Sequence, residues 1–262
     1  MKKKYLLWII FVPLVLILAC IGSIYVYSEF FYYDHSTNPF TSFQPEEGFF
    51  LIDPNAILDS LNNGDMNVFS STLKQEKEIL DVKSDETFNW TPRDYLMITD
   101  ALNQQVWKDA LNDWKIYSMD FSKDCQDNPS GFDEGHIDYF KAVSDETRQE
   151  SYMVRMFSIM PKYGYINWGG GASGPRPPFG WKSVDLDHEL DAVDILRIAE
   201  ENGGKDIRLK FNNDCKITLY WLPSGYDGWR IWYDVDGLAQ FYIMIDPFTG
   251  RVIKSINLET DS

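Results

Sequence analysis

The sequence predicts an α+β protein: an N-terminal transmembrane helix followed by two tandem modules, each a helix on an antiparallel sheet. Three observations predict it. An uncharged run of 23 residues extends from Tyr5 to Tyr27. Beyond it, an amphipathic helical pattern followed by stretches of alternating apolar and polar residues occurs twice. The stretch PSGFDEG at Pro129 is echoed by PSGYDG at Pro223, 94 positions on, and IMPKYGYI, containing Pro161 and Gly164, is echoed by IDPFTGRV at an offset of 86.

The 262 residues are 44% hydrophobic and 16% aromatic, ample for packed cores. The net charge is −16, and residues 1–28 hold three lysines and no acid, so the acidity belongs to the rest of the chain. Such a field repels phosphate backbones, which excludes nucleic-acid binding.

Residues 1–28 form the first predicted element. An α-helix needs about 20 apolar residues to cross the hydrocarbon core, and this run supplies them. Lys2, Lys3 and Lys4 precede the span and Glu29 and Asp34 follow it, so the positive-inside rule places the N-terminus in the cytoplasm and the bulk of the chain outside. The rival readings are a cleaved signal peptide and a lipoprotein acylated at Cys20, since ILAC resembles a lipobox. The apolar run continues past Cys20 and favours the retained span.

Residues 29–90 read as a stalk holding one short helix and a loop. In DPNAILDSLNNG, Asp53 caps, Pro54 fits the first turn and Gly64 follows the last periodic residue. The charge-rich stretch from Lys74 to Asp85 reads as loop.

The first module, residues 91–168, opens on TPRDYLMITDALNQQVWKDALNDW. Thr91 is the N-cap, Pro92 takes the first position and Asp94 stands in the capping-box place. The period then changes to two in KIYSMDF, HIDYFKAV and SYMVRMFSIM. Residues 169–187, with GGGASGPRPPFGW at their start, read as a Gly/Pro-rich linker.

The second module, residues 188–262, opens on a helix with Ala192, Ile195, Leu196 and Ala199 on one face, ending at Gly203. Alternation returns in CKITLYWL, GWRIWYDV, AQFYIMID and RVIKSI. Both echoes fall at matching places in the two series, and the offsets differ by eight, which a longer loop around AVSDETRQES absorbs. The chain reads as a degenerate duplication.

The second copy, about residues 188–258, resembles a PepSY domain, the small extracytoplasmic, cystatin-like α+β module of peptidase propeptides and envelope proteins. The resemblance rests on the helix ending in Gly203 and Gly204, the alternation Trp229, Ile231, Tyr233, and the turn Asp246, Pro247, Thr249, Gly250 before the last strand. The first copy lacks the glycine pair and is PepSY-like through the duplication alone. The resemblance implies a binding or inhibitory module with a peptidase as its partner.

Motifs for chemistry fail one by one. HEL at His188 suggests a metalloprotease helix, but Ala192 stands where the second ligand belongs. GGGASG at Gly169 matches a phosphate-binding fingerprint, but Pro175, Pro177 and Pro178 forbid the helix it must open. DVDG has Leu238 where a calcium loop needs an oxygen. No catalytic, cofactor or metal residues are assigned, and the chain is read as a non-enzyme. Of three cysteines, Cys125 and Cys215 lie in the extracytoplasmic part, where one disulfide between them can persist; two unpaired buried thiols are the alternative. Two functions stay open: a binding module that modulates an envelope peptidase, and a structural or sensory ectodomain. An exposed apolar groove or open sheet edge separates them.

Overall fold

Period-two alternation decides most of this structure. The computed structural model describes residues 46–75, 88–126, 131–144, 150–173, 182–223 and 228–258. In chain order these form β1 (Glu46–Leu51), α1 (Pro54–Asn62), α2 (Met66–Thr72), β2 (Lys74–Gln75), α3 (Pro92–Trp107), β3 (Lys115–Asp124), β4 (Glu134–Ser144), β5 (Glu150–Met160), β6 (Tyr165–Ser173), α4 (Ala192–Ala199), α5 (Lys205–Lys210), β7 (Lys216–Trp221), β8 (Trp229–Val235), β9 (Leu238–Ile245) and β10 (Val252–Asn257).

All ten described strands join one antiparallel sheet in the order β10-β9-β8-β7-β3-β4-β5-β6-β1-β2. This corrects the predicted fold of two separate helix-on-sheet modules. The first strands of the two halves, β3 and β7, pair directly, Met119 with Trp221 and Phe121 with Leu219, so the halves share one sheet. Pairing removes two unsatisfied edges at once, which separate modules would have left open. Among the described residues no helix is long and apolar enough to cross a membrane. That corrects the membrane and transmembrane assignment; residues 1–28, on which the anchor and Cys20 readings fall, lie outside the described residues.

One face of the sheet is the core. Odd-numbered Met119, Phe121, Ile137, Tyr139, Phe157, Ile217, Leu219, Trp221, Ile231, Tyr233, Ile243 and Ile245 are buried on it, and both helical layers pack there. Tyr95 of α3 lies against Phe121, with ring centroids 5.5 Å apart, and Trp107 meets Phe157 edge-on at 5.8 Å. Burying each large side chain contributes about 1.5–3 kcal/mol.

The register relates the halves. The N-caps Thr91 and Asp191 stand 100 positions apart, as do Met119 and Leu219, which face Ile137 and Ile231 respectively. Ile137 pairs with Phe157 as Ile231 pairs with Ile243, and Ile159 with Ile166 as Ile245 with Val252. The equivalent tyrosines both reach the helix above: Tyr139 Oη lies 2.7 Å from Thr99 Oγ1, and Tyr233 Oη donates to Glu200 Oε1 at 2.8 Å.

Three further boundaries differ from the sequence reading. The stalk contributes β1, α1, α2 and β2, because Phe49 and Phe50 pair with Asn167 and Ile166 of β6. The linker begins later than residue 169, since Gly169–Ser173 belong to β6 and pair with β5. At Gly170 an aromatic ring takes the place of the missing side chain: a Cβ there would stand 2.8 Å from Trp107 Cζ2. The helix after Asp191 does not stop at Gly203. It breaks there, at φ 118°, through a π turn over Glu200–Gly204, and resumes as α5.

Candidate functional site

The face opposite the core carries the polar chemistry; its residues are even-numbered in β3–β5 and β7–β9 and odd-numbered in β6 and β1. Its central row runs Lys254, Met244, Arg230, Tyr220, Asp120, His136, Ser158, Asn167, Phe49, each facing the next across a strand pair. Asp120 and Tyr220 stand opposite each other in the β3–β7 junction, 100 positions apart like the other equivalent residues of the two strands.

Around Asp120 the side chains interlock. His136 Nδ1 lies 2.6 Å from Ser158 Oγ, and Nε2 lies 2.9 Å from Asp138 Oδ1, a close charge contact outside hydrogen-bond alignment. Ser118 donates to Asp138 Oδ2 at 2.6 Å. Ser122 and Lys216 both donate to Glu134 Oε2, at 2.7 and 2.9 Å. Burial pushes the Asp120 carboxyl up to about 6, with His136 opposing and Asp138 and Glu134 adding to the rise. The short contact with Asp138 raises His136 above its ordinary value against the burial that lowers it.

Ser158, His136 and Asp138 thus have the connectivity of a serine relay. The surrounding backbone does not complete one. β5 pairs with both β4 and β6 around Ser158, so ladder bonds occupy the amides an oxyanion would need. A histidine held toward its protonated form is also a poor general base. What the row can do is hold charge and change it near neutral pH. Sequence reading missed this cluster, although His136 and Asp138 share a face by alternation; Ser158 and Asp120 join them only through register.

The residues singled out from the sequence fall at the sheet's ends. Cys125 and Cys215 are joined in a disulfide with α-carbons 5.2 Å apart, directly beyond the last β3–β7 pair, and Cys125 N donates to Cys215 O at 2.8 Å. It borders an open cleft of about 630 Å³ lined by Asp124, Asp214, Lys216, Asp234 and Asp236 among others. Pro161 begins a single 3-10 turn closed by Gly164 at φ 66°. In the matching turn, Asp246 Oδ1 accepts from the amides of Phe248 and Thr249, at 3.0 and 2.8 Å, and from the Thr249 hydroxyl at 2.9 Å, while Gly250 takes φ 70° after Pro247. These are structural turns, as Asx chemistry and a left-handed glycine require. His188 is exposed and bonded to Asp185 at 3.0 Å, and Glu189 accepts from Trp221 Nε1. His35 lies outside the described residues. Among the described residues no group of three or more His, Cys, Asp or Glu is placed to hold a metal ion.

Aromatic side chains border the polar row, half-buried at Trp232, Tyr242 and Tyr117 and buried at Phe140. Trp232 faces Tyr242 with ring centroids 5.5 Å apart, and Tyr117 meets Phe140 at 6.1 Å. At one end of the sheet, among the described strands, β10 pairs with β9 alone. Comparison with protein-family models, with curated proteins and with solved structures finds no match to this chain.

Proposed function

We propose that this chain is an extracytoplasmic binding module that engages a polypeptide partner, modulates an envelope peptidase and hydrolyses nothing itself. The observation that supports it is the terminal position of β10, whose outer side has no described strand beside it. A spacer domain has no need of such an edge, and natural sheets generally cover or blunt one. The resemblance of residues 188–258 to PepSY modules points to the same class of partner. The disulfide fits an oxidising compartment, and the net charge of −16 favours a basic partner through salt-sensitive association.

The test is to immobilise the full chain, pass envelope extract over it at low and high salt, and follow casein proteolysis in the extract with and without added chain. Capture of a peptidase together with altered proteolysis supports the proposal. No capture and unchanged proteolysis would replace it with a structural or sensory role, and casein turnover by the purified chain alone would overturn the non-enzyme part.

A further inference from the structure

We infer that the crevice between the start of α3 and the start of α4 receives the free N-terminal residue of a partner polypeptide. Its apolar side chain enters the crevice, its carbonyl accepts from Trp229, and its ammonium meets Asp191 and Glu189. This rests on the binding reading above and names the part of the partner that is recognised. The crevice has a volume of about 40 Å³ and opens between Pro92 and Ala192, the first residues of the two helices. One water needs roughly 10–15 Å³, so the space admits a small side chain and not a length of chain.

An unpaired donor calls for a ligand here. Trp221 and Trp229 stack with ring centroids 6.1 Å apart. Trp221 Nε1 donates to Glu189 Oε2 at 2.7 Å, whereas Trp229 Nε1, in a residue only 1% exposed, is buried without an acceptor. Buried indole N–H groups usually find a partner, and one left without costs stability. Trp229 forms part of the crevice wall together with Met119 and Phe121, so an acceptor that satisfies it arrives beside apolar surface. The remaining lining groups define what carries that acceptor. They include two carboxylates, Glu189 and Asp191, and no basic side chain. Such charges repel a carboxylate or phosphate and attract an ammonium, so the acceptor is an uncharged carbonyl. Asp191 Oδ1 caps α4 by accepting from Asp194 N at 2.9 Å, which fixes its carboxylate in place. Leu186, 52% exposed, and Asp191, also exposed, mark the mouth, with the buried aromatic wall behind them. An ammonium, an aliphatic side chain and an uncharged carbonyl share one residue at the N-terminus of a polypeptide.

The probe is leucinamide, which carries all three groups. Its controls are N-acetylleucinamide, which lacks the charge, and leucine, whose carboxylate replaces the amide. Binding to the full chain is followed by NMR of the indole N–H signals, with that of Trp229 assigned by its loss in W229F. Two variants separate the contacts. W229F keeps an aromatic ring in the stack and removes the donor; D191N keeps a capping side chain, since asparagine caps as well as aspartate, and removes the charge. Leucinamide is expected to shift the Trp229 signal and to bind W229F about three- to tenfold more weakly, the worth of one neutral hydrogen bond. D191N should weaken it at least threefold with an unchanged melting temperature, and both controls should bind the parent at least tenfold more weakly. If W229F does not fold, D191N and the two controls decide. An unmoved Trp229 signal, equal binding of N-acetylleucinamide, or equal binding by D191N overturns the site, as does a slowly exchanging water on the Trp229 N–H that leucinamide fails to displace. If D191N captures the envelope partner as well as the parent chain does, the crevice is the wrong place and the binding module stands; if the parent captures nothing, the binding reading itself falls.

Discussion

Asp120 and Tyr220 face each other across the β3–β7 pair, at the one position where the strand equivalence of the two halves maps a residue onto its own partner. The junction is therefore made from a half-buried carboxyl against a phenol, with His136 beside the first and Arg230 beside the second.

That position gives stability a pH dependence. Burial raises the Asp120 carboxyl to about 6 in the folded chain, above its unfolded value of about 3.9. A raised folded pKa contributes stability that is fully present below the unfolded value and is lost as pH rises through about 6. Asp120→Asn removes the ionisation, so the variant should exceed the parent by about 1–3 kcal/mol at pH 7.5 and lose that advantage near pH 4. Urea unfolding at both pH values checks it. A constant difference between the two curves would sink the assignment.

Reducing the Cys125–Cys215 bond should lower stability, because it closes a 90-residue separation across the seam of the two halves. Chain entropy allows about 4–5 kcal/mol for such a loop, and measured values more often reach 2–4. The check is thermal unfolding with and without a phosphine reductant, after peptide mapping under non-reducing conditions. A melting temperature indifferent to reduction contradicts the prediction.

Gly204 should resist substitution for a packing reason. A Cβ there would stand 2.1 Å from Tyr233 Oη and 3.0 Å from Ala199 O, displacing the tyrosine from Glu200. Gly204→Ala is expected to cost about 2 kcal/mol or more. Gly237→Ala, with φ 77° and open space, should cost only about 1 kcal/mol. Denaturant midpoints rank the two, and the reverse order refutes the packing account.

Gly170→Val opposes strand propensity to packing. Propensity alone favours valine in β6 by up to about 1 kcal/mol. The new Cβ meets Trp107 at 2.8 Å, and Trp107 also donates from Nε1 to Glu46 Oε2 at 2.7 Å. Overpacking should win by about 1–3 kcal/mol. A stabilised variant would show that Trp107 moves aside without cost.

Local chemistry made part of this legible in sequence. The caps at Asp53 and Thr91, the alternating strands and the turn from Asp246 to Gly250 each depend on a few neighbouring residues, and each is read from them. The echo at Pro161 and Pro247 was legible for the same reason: a proline and a left-handed glycine are needed wherever that turn recurs.

Only tertiary structure decided how the strands were ordered. Alternation tells which residues share a face, but not that β3 would meet β7 and fuse two halves into one sheet, nor that Ser158 would stand beside His136. It also misled at Gly169–Ser173, where composition argues against a strand and the ring of Trp107, from α3, supplies the side-chain surface missing at Gly170. The physical reason is common to all three. Hydrogen-bond partners and packing surfaces in a sheet come from residues distant in sequence, whereas caps, turns and periodicity are settled within a few bonds of the residue that shows them.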